Sequence, residues 1–540
     1  MQRLMHWYDY ITINIYWLGL TTVSQSNGLI VPLLVQKFVG PEQQGTAFGR
    51  LRLYTLMVAL LAQALMGMLS DRSTLRWGRR RPFILVGTLL NMACMIAIGA
   101  SPGYWFLFGT VVLSQIASNI AHGAEQGLIP DLVPEDRRGR FSGAKSIMEL
   151  LPVILVAFTV GPLVAAGQMW AGILVATGIL FLCMAITLLV REEPLREPPG
   201  HLDWEPFGRL VAMTLVFMLV ILGLGEIVKG IGKLLGDVDS VSISLIVMGG
   251  AGLLAMAAAV VGGVWASVRI SIGGKKARQY PSFTWWVINR LAFLVGTANL
   301  SGFAVYFLQA RLGLEGEAAA GPASQLMMVV GILILMYALP LGWLADLTGR
   351  KRWVALGGIA ILITAALLGM GMMFSMPCGW LVTSSLIIFV LMAVILALSP
   401  TLFARRKWLV ALSGITAAVG TLVLVLAPNL AVIYAGGCII GAATGTFFTT
   451  NWALGTDVVP KEEAGRYLGI SNLAGAGAGA VGAYIGGPIA DYFTVRVPQF
   501  PGLGYLLIFA IYGVLFLLSA IVLIRVREVW SAGQEQTSST

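Results

Sequence analysis

Long apolar runs separated by short polar or charged segments fill almost the whole sequence. Each run is about 20 residues long, which is the length an α-helix needs to cross a bilayer. This pattern predicts an all-α polytopic membrane protein with about 16 transmembrane helices, or 14 if a short run does not cross. The predicted spans are 11–35, 52–70, 83–100, 104–128, 142–165, 170–190, 208–228, 242–268, 283–309, 325–344, 353–374, 379–403, 408–427, 429–452, 467–491 and 504–526.

Composition supports this prediction. Apolar residues make up 58% of the chain and charged residues 11%, against roughly 25% charged residues in a soluble domain. The net charge is +10, and most lysines and arginines fall in the N-terminal tail and in alternate loops between spans. Such loops face the cytoplasm, so we expect a cell-membrane (plasma or inner) protein with both termini cytoplasmic. The same bias explains the basic charge without a nucleic-acid partner.

Two loops share an unusual pattern. Residues 67–83 read GMLSDRSTLRWGRRRPF and residues 342–352 read GWLADLTGRKR. In both, a glycine and an acid are followed by a Gly-Arg pair with further basic residues. A topology anchor needs only the basic residues, so the glycine and the acid indicate a further role. The positions concerned are Gly67, Asp71, Arg72, Gly78, Arg79 and Arg80 in the first loop, and Asp346, Gly349 and Arg350 in the second.

The chain also repeats internally. The segment IPDLVPEDRRGRFSG matches GTDVVPKEEAGRYLG, so that Asp131 corresponds to Asp457 at an offset of 457 − 131 = 326. The same offset relates Gly161-Pro162 to Gly487-Pro488. We therefore predict two related six-helix halves and two inserted helix pairs. The predicted regions are a first half at 1–190, a linker with an inserted pair at 191–282, a second half at 283–527 with an inserted pair at about 353–403, and a polar tail at 528–540.

The first loop resembles the loop between helices 2 and 3 of the major facilitator superfamily. Its longer form, SDR followed by GRRRPF, is similar to that of the sugar–cation symporters, which include the sucrose carriers. The resemblance implies two pseudo-symmetric six-helix halves with substrate bound near the midplane. It also implies that Asp71 acts in gating by docking at the start of the span 467–491, near Arg466, where the helix dipole favours an acid.

Ionisable side chains inside a span are costly and are functional candidates by default. Glu125 and Glu149 are candidate proton-exchanging carboxylates, with Lys145 or Arg290 as alternating partners; a static salt-bridge set that closes the cytoplasmic side is the alternative. Amides suit sugar hydroxyls because they donate and accept in fixed geometry. The candidate amides are Gln25, Gln115, Asn119, Gln126, Asn299 and Asn451. The repeat pairs Glu125 with Asn451, so the halves differ there.

Aromatic side chains near these groups are further candidates. Tyr16, Trp17 and Trp452 could stack on a sugar face. For Trp285 and Trp286 we favour a place in the aromatic belt at the membrane surface. His122 lies three residues before Glu125 and therefore shares its helix face.

These features favour secondary active transport of a small solute, with sugar symport driven by H⁺ or Na⁺ as the preferred function. The sucrose carriers hold an acid in the middle of span 4, whereas this chain has Gln115 and Asn119 there and Glu125 lower down. Antiport efflux of amphiphilic compounds and a non-transporting assembly or scaffold role are the alternatives. The chain has no P-loop motif, nucleophile–base pair or metal-ligand cluster. We therefore expect no enzyme, no metal and no cofactor beyond the coupling ion, and a functional monomer in the lipid bilayer.

Overall fold

The computed structural model describes residues 6–190, 192, 204–346, 406–459, 464–500 and 502–527. All regular secondary structure within these ranges is helical. The α-helices are α1 (Asp9–Thr12), α2 (Ile15–Val39), α3 (Gln44–Asp71), α4 (Arg81–Gly99), α5 (Tyr104–Glu125), α6 (Leu128–Leu132), α7 (Arg138–Phe158), α8 (Val160–Ala165), α9 (Met169–Thr187), α10 (Glu205–Leu234), α11 (Val241–Ala258), α12 (Val264–Ile272), α13 (Gly274–Gln279), α14 (Pro281–Gly302), α15 (Ala304–Leu312), α16 (Ala320–Asp346), α17 (Arg406–Leu426), α18 (Leu430–Val458), α19 (Ala464–Arg496) and α20 (Leu503–Val522). Short 3₁₀ turns cover Glu135–Arg137, Leu235–Asp237, Gly316–Ala319 and Leu523–Arg525, and a π-helical turn at Ala259–Gly263 joins α11 to α12.

The prediction of an all-α polytopic protein is confirmed. Thirteen helical segments of the described residues are long and apolar enough to cross a membrane, or fourteen if α14 and α15 are one bent span. These segments match the fourteen predicted spans that fall within the described residues. The other two predicted spans, 353–374 and 379–403, lie outside those residues.

Helix boundaries follow from local chemistry. Pro82 lies in the first turn of α4, where its missing N–H leaves no helical bond unmade. The side chains of Ser240 and Asn429 cap α11 and α18 by accepting backbone N–H bonds from Ile243 and Val432. Polar residues in short loops therefore fix where the apolar spans begin.

The chain divides into two compact units. Unit 1 comprises Met1–Met218 and Gly302–Gln325. Helix α2 is at its centre and contacts α3, α5, α7, α8 and α9. Helices α3, α4 and α5 approach closely at two glycines: a methyl group on Gly87 would lie 2.6 Å from the Ala121 nitrogen, and one on Gly123 would lie 2.8 Å from the Gln63 carbonyl oxygen. Small residues thus let these helices pack backbone to backbone.

Unit 2 comprises Leu219–Ser301 and Leu326–Thr540. Helix α17 contacts α18 and α20, and α18 packs against α16 at Gly441 and Gly445. Methyl groups there would lie 2.8 Å from the Val330 carbonyl oxygen and 2.5 Å from that of Ile334. The contact of α17 with α18 repeats that of α4 with α5, so α17 takes the position in unit 2 that α4 has in unit 1.

The helices between the two halves pack on α19 and α20 of unit 2. Helix α11 contacts α19 and α20, and α12 contacts α19. Gly225 of α10 rests on the Tyr484 ring, and Arg496 donates a 2.9 Å hydrogen bond to the Gly236 carbonyl oxygen in the turn between α10 and α11. The inserted pair is therefore attached to the C-terminal part of α19.

Candidate functional site

One carboxylate lies buried at the end of α5. Glu125 is 1% exposed, and neither of its carboxylate oxygens has a hydrogen-bond partner among the described residues. Buried polar groups are almost always bonded, and an unpaired buried charge is especially costly. This arrangement marks Glu125 as a functional candidate rather than a packing residue.

A lysine stands nearby, but it is held by an aromatic ring. The Lys145 ammonium on α7 lies 3.8 Å from the centre of the Trp17 ring on α2, a cation–π contact. Lys145 and Glu149 are both close enough to interact electrostatically with Glu125. Unit 1 therefore brings three predicted charged groups together without forming an ion pair between Glu125 and Lys145 in the described structure.

His122 completes this cluster. Its ring meets the Trp17 ring edge to face at 4.9 Å, and its Nε2 lies 3.1 Å from Gln126 Nε2. We name His122, Glu125 and Lys145, together with the Trp17 ring that contacts His122 and Lys145, the carboxylate cluster. The cluster joins α2, α5 and α7. His122 and Glu125 lie on the same face of α5, as their spacing of three residues predicted.

The predicted amides of unit 1 continue along α5. Asn119 donates a 2.8 Å hydrogen bond to the Gln115 carbonyl oxygen of its own helix. At the repeat offset of 326, Gln115 and Asn119 correspond to Gly441 and Gly445, where α18 packs closely against α16. Gln25 on α2 is half-buried and makes no hydrogen bond within the described residues. Unit 1 thus has amides where unit 2 has close-packed glycines.

The matching region of unit 2 is held together by side-chain hydrogen bonds. Asn451 donates to Asn289 Oδ1 at 2.7 Å and accepts from Arg290 Nη1 at 3.1 Å, and its carbonyl oxygen accepts from Trp286 Nε1 at 3.0 Å. Arg290 and Asn451 are therefore neighbours. Asn299 lies apart from them and donates to the Ala478 carbonyl oxygen at 3.0 Å.

Two aromatic predictions are wrong. Tyr16 is 1% exposed and its hydroxyl lies 2.7 Å from Thr88 Oγ1, so its ring is packed in unit 1 and is not open to a sugar. Trp286 is fully buried and bonded to Asn451, so it does not belong to a surface belt. Apolar runs do not reveal which face of a fully apolar helix is buried, and this is why both were misplaced.

The first basic loop forms an ion-pair network around Arg80. Its Nε donates to Asp131 at 2.6 Å, its Nη2 to Asp71 at 2.8 Å and its Nη1 to the Ala124 carbonyl oxygen at 3.1 Å. Arg79 also pairs with Asp71, at 3.0 Å. The Arg80 side chain is 6% exposed. The predicted gating residues Asp71, Arg79 and Arg80 thus form one bonded group, which we call the Arg80 network.

Two glycines make room for this network. A methyl group on Gly127 would lie 1.7 Å from Arg80 Cζ, so only glycine lets the guanidinium reach Asp131. Gly78 has a φ of +124°, which favours glycine. Next to it, Glu192 accepts the Arg80 backbone N–H at 2.8 Å. Gly67 in turn faces the close-packed Gly123.

Unit 2 has a simpler version of the network. Arg406 donates to Asp457 at 2.9 Å and to the Ala453 carbonyl oxygen at 3.2 Å, and its side chain is 48% exposed. The offset of 326 relates Arg80 to Arg406 just as it relates Asp131 to Asp457. Sequence reasoning missed this arginine–aspartate pair: extending the repeat to position 80 relates the two arginines, but it does not show that either contacts its aspartate.

The remaining gating predictions are not tested. Gly349 and Arg350 lie outside the described residues, as do the side chains of Asp346 and Arg466. The docking of Asp71 near Arg466 therefore stays a prediction, and the partners of Asp71 that the structure describes are Arg79 and Arg80.

Comparison with known proteins gives a family match. The family model of the Major Facilitator Superfamily matches residues 9–306 and 377–539. A D-xylose transporter of Levilactobacillus brevis is 29% identical over 137 residues, which is 25% of this chain and 27% of that protein. A sucrose transport protein of Arabidopsis thaliana is 26% identical over 175 residues, covering 25% of this chain and 29% of that protein. The aligned part thus spans less than a third of either relative.

Solved structures resemble the whole chain. The crystal structure of the nucleoside transporter NupG superimposes with a TM-score of 0.57 and 9% sequence identity, covering 96% of this chain and 100% of that one. At this identity the likeness shows the fold.

Proposed function

Because the chain belongs to the major facilitator superfamily, we propose that it moves a small solute across the cell membrane by alternating access. We propose further that the solute is a sugar taken up together with H⁺ or Na⁺. The sugar assignment is supported by two partial relatives, a xylose transporter and a sucrose transport protein. No cofactor beyond the coupling ion is part of the proposal, nor is any enzymatic activity.

The observation that carries this proposal is the unpartnered Glu125 carboxylate. A carboxylate that is 1% exposed and accepts no hydrogen bond is poorly stabilised as an anion. It is well suited to holding a proton or a cation in this arrangement and giving it up when water or a charged partner reaches it. Such reversible occupancy is what coupling to an ion gradient requires.

We propose that Lys145 is the charged partner that Glu125 meets when it releases its proton or cation. Its ammonium rests on Trp17, and a cation–π contact is worth roughly 0.5–2 kcal/mol. An ion pair with an unprotonated Glu125 would compete well with that contact in a site of low dielectric. Movement of Lys145 from Trp17 to Glu125 would then link ion release to a shift between α2 and α7.

The amides Gln25, Gln115 and Asn119 are the proposed sugar ligands. Their side chains carry both donors and acceptors, as sugar hydroxyls require. The Gln25 side chain makes no hydrogen bond within the described structure, and Asn119 bonds to its own helix, so neither is committed to holding helices together. Gln126, Glu149, Arg290, Asn299 and Asn451 stay candidates of second rank.

The test uses purified full-length protein in liposomes. Uptake of labelled xylose, sucrose and a panel of other sugars is measured with an inward proton gradient, with an inward sodium gradient and with neither. The variants are Glu125→Gln and, as a matched control, Glu135→Gln, whose side chain is 90% exposed. We expect one gradient to drive accumulation of a sugar in the parent and in Glu135→Gln, and Glu125→Gln to reach only the equilibrium level.

The other outcomes decide between the alternatives. Accumulation that persists in Glu125→Gln would keep symport and remove Glu125 from the coupling role. Accumulation of no sugar would overturn the substrate assignment. Gradient-driven export of an amphiphilic dye would then support antiport, and absence of any flux would support a scaffold.

A further inference from the structure

A cavity of about 290 Å³ lies in unit 2 and shares no residue with the carboxylate cluster of unit 1. It is formed where the inserted pair ends, at α12, and where the short basic helix α13 leads into α14. Because α12 ends at Ile272 and α14 begins at Pro281, the cavity lies at one membrane surface. Its lining includes Val261, Trp265, Arg269, Arg278, Trp285 and Ile288.

The cavity is strongly basic. Arg269 and Arg278 line it, Lys275 and Lys276 lie in the same connection, and the sequence has no acidic residue between Asp239 and Glu315. Among the described residues, no carboxylate pairs with Arg269 or Arg278. This excess of positive charge favours a cavity at the cytoplasmic surface, and it leaves Arg269 and Arg278 without a carboxylate partner within the described part of the chain.

A tryptophan ring holds Arg269 in place, and a third arginine, Arg525, rests on the lining residue Trp285. The Arg269 guanidinium lies 3.3 Å from the centre of the Trp265 ring, and Arg525 lies 4.8 Å from that of Trp285. A guanidinium stacked on an indole keeps its N–H edge free for a bidentate bond to an oxyanion. The Thr284 side chain also lines the cavity and adds a hydroxyl. Positioned cations and a hydroxyl are the groups that bind a phosphate.

The apolar wall indicates where that phosphate comes from. Val261 and Ile288 line the side towards the membrane interior, and a free phosphate ion gains nothing from them. Val261 lies within the π-helical turn Ala259–Gly263, a local distortion that recurs at functional sites. Tryptophans at a membrane surface sit at the level of lipid headgroups. A lipid uses both the charged and the apolar parts of this cavity.

We propose that the cavity binds an anionic phospholipid of the cytoplasmic leaflet. Its headgroup phosphate lies between Arg269 and Arg278, and its acyl chains lie along Val261 and Ile288. Basic pockets between transmembrane helices on this side bind such headgroups in other membrane proteins. Since α12 belongs to the inserted pair and α14 to the six-helix half, the lipid would join the insertion to the core of unit 2.

The test is lipid binding to the purified full-length protein by native mass spectrometry. Phosphatidylglycerol is titrated against phosphatidylcholine for the parent, for Arg278→Gln and for Arg269→Gln/Arg278→Gln. Arg76→Gln is the matched control, because Arg76 is an exposed arginine of the first basic loop. At about 1 kcal/mol per basic residue near anionic lipid, we expect roughly 5-fold weaker phosphatidylglycerol binding for the single variant and roughly 25-fold for the double variant.

Arg76→Gln should bind phosphatidylglycerol like the parent, and phosphatidylcholine should bind weakly to every variant. Equal binding of the two lipids, or a double variant that binds like the parent, would overturn the proposal. Displacement of phosphatidylglycerol by millimolar inorganic phosphate would instead assign the cavity to a free anion. Arg278 is exposed, so the single variant tests the site even if the double variant fails to fold.

Discussion

Glu125 and Asn451 occupy matching positions in the two units and differ in almost every respect. Asn451 uses its side-chain donor and acceptor in bonds to Asn289 and Arg290. Glu125 uses neither of its oxygens. Both residues are buried, so the contrast does not arise from access to solvent. Unit 2 thus has a hydrogen-bonded amide at the position where unit 1 has a carboxylate with no hydrogen-bond partner among the described residues.

The same contrast extends along the helix. Gln115 and Asn119 on α5 correspond to Gly441 and Gly445 on α18, which close against α16. Polar side chains that make no hydrogen bond to another helix, as far as the structure describes the chain, therefore gather on α5 of unit 1. A pseudo-symmetric fold can place its solute and ion sites in one half while the matching positions of the other half supply rigidity.

The arginine–aspartate ion pairs, unlike these positions, are the same in the two units. Arg80 with Asp131 and Arg406 with Asp457 have the same partners at the same offset. They differ in burial, with 6% exposure of the Arg80 side chain and 48% of that of Arg406. Because both halves contain this ion pair, we interpret it as part of the architecture. The more buried pair should contribute more to stability.

Replacing Arg80 should have the largest effect on stability. Arg80→Gln removes bonds to two carboxylates and to the buried Ala124 carbonyl oxygen, and hydrogen bonds to charged groups contribute about 1.5–3 kcal/mol each. Asp71 and Asp131 are 52% and 30% exposed, so water can compensate part of the loss. We expect the free energy of unfolding in mixed micelles to fall by about 2–3 kcal/mol.

The control for this prediction is Arg406→Gln. An exposed ion pair contributes about 0–1 kcal/mol, so the free energy of unfolding of this variant should be at most about 1 kcal/mol below that of the parent. Equal losses for the two variants would show that burial does not decide the energetic weight of the two pairs.

Disrupting the bonded position in unit 2 should have an intermediate effect. Asn451→Ala leaves Asn289 and Arg290 without two interhelical bonds, and such bonds within membranes contribute about 0.6–1.7 kcal/mol each. We expect a loss of about 1–2 kcal/mol in the same unfolding measurement. Asn119→Ala is the control, because Asn119 bonds only within α5 among the described residues, and its loss should be smaller. A larger loss for Asn119→Ala would place the structural contact in unit 1.

Much of the fold could be predicted because the membrane imposes it. Apolar runs of the required length gave the spans, and the repeat gave the two related halves. The details that failed depend on which face of a helix is covered. Tyr16 and Trp286 lie in runs that are apolar on all sides, and no periodicity there separates a lipid-facing from a buried ring.

The candidate site was predictable only in part. Glu125, Lys145 and His122 stood out because ionisable groups are rare in spans, and the structure brings them together. The contact of Lys145 with Trp17 was not predictable, because it joins α7 to α2 across more than a hundred residues of sequence. Asp131 was noticed as a repeat position, but its bond to Arg80 depends on the turn at Gly127, which sequence spacing does not define.

The smallest effect on stability is expected at Glu125, the proposed coupling residue. Glu125→Gln replaces a carboxylate that has no hydrogen-bond partner with a neutral amide of the same shape, so little is lost on folding. We expect the free energy of unfolding to stay within about 0.5 kcal/mol of the parent in the same mixed-micelle measurement. A loss of more than about 2 kcal/mol would mean that Glu125 has a structural partner. A variant that is as stable as the parent but cannot couple would show that unit 1 keeps this carboxylate for exchange and not for cohesion.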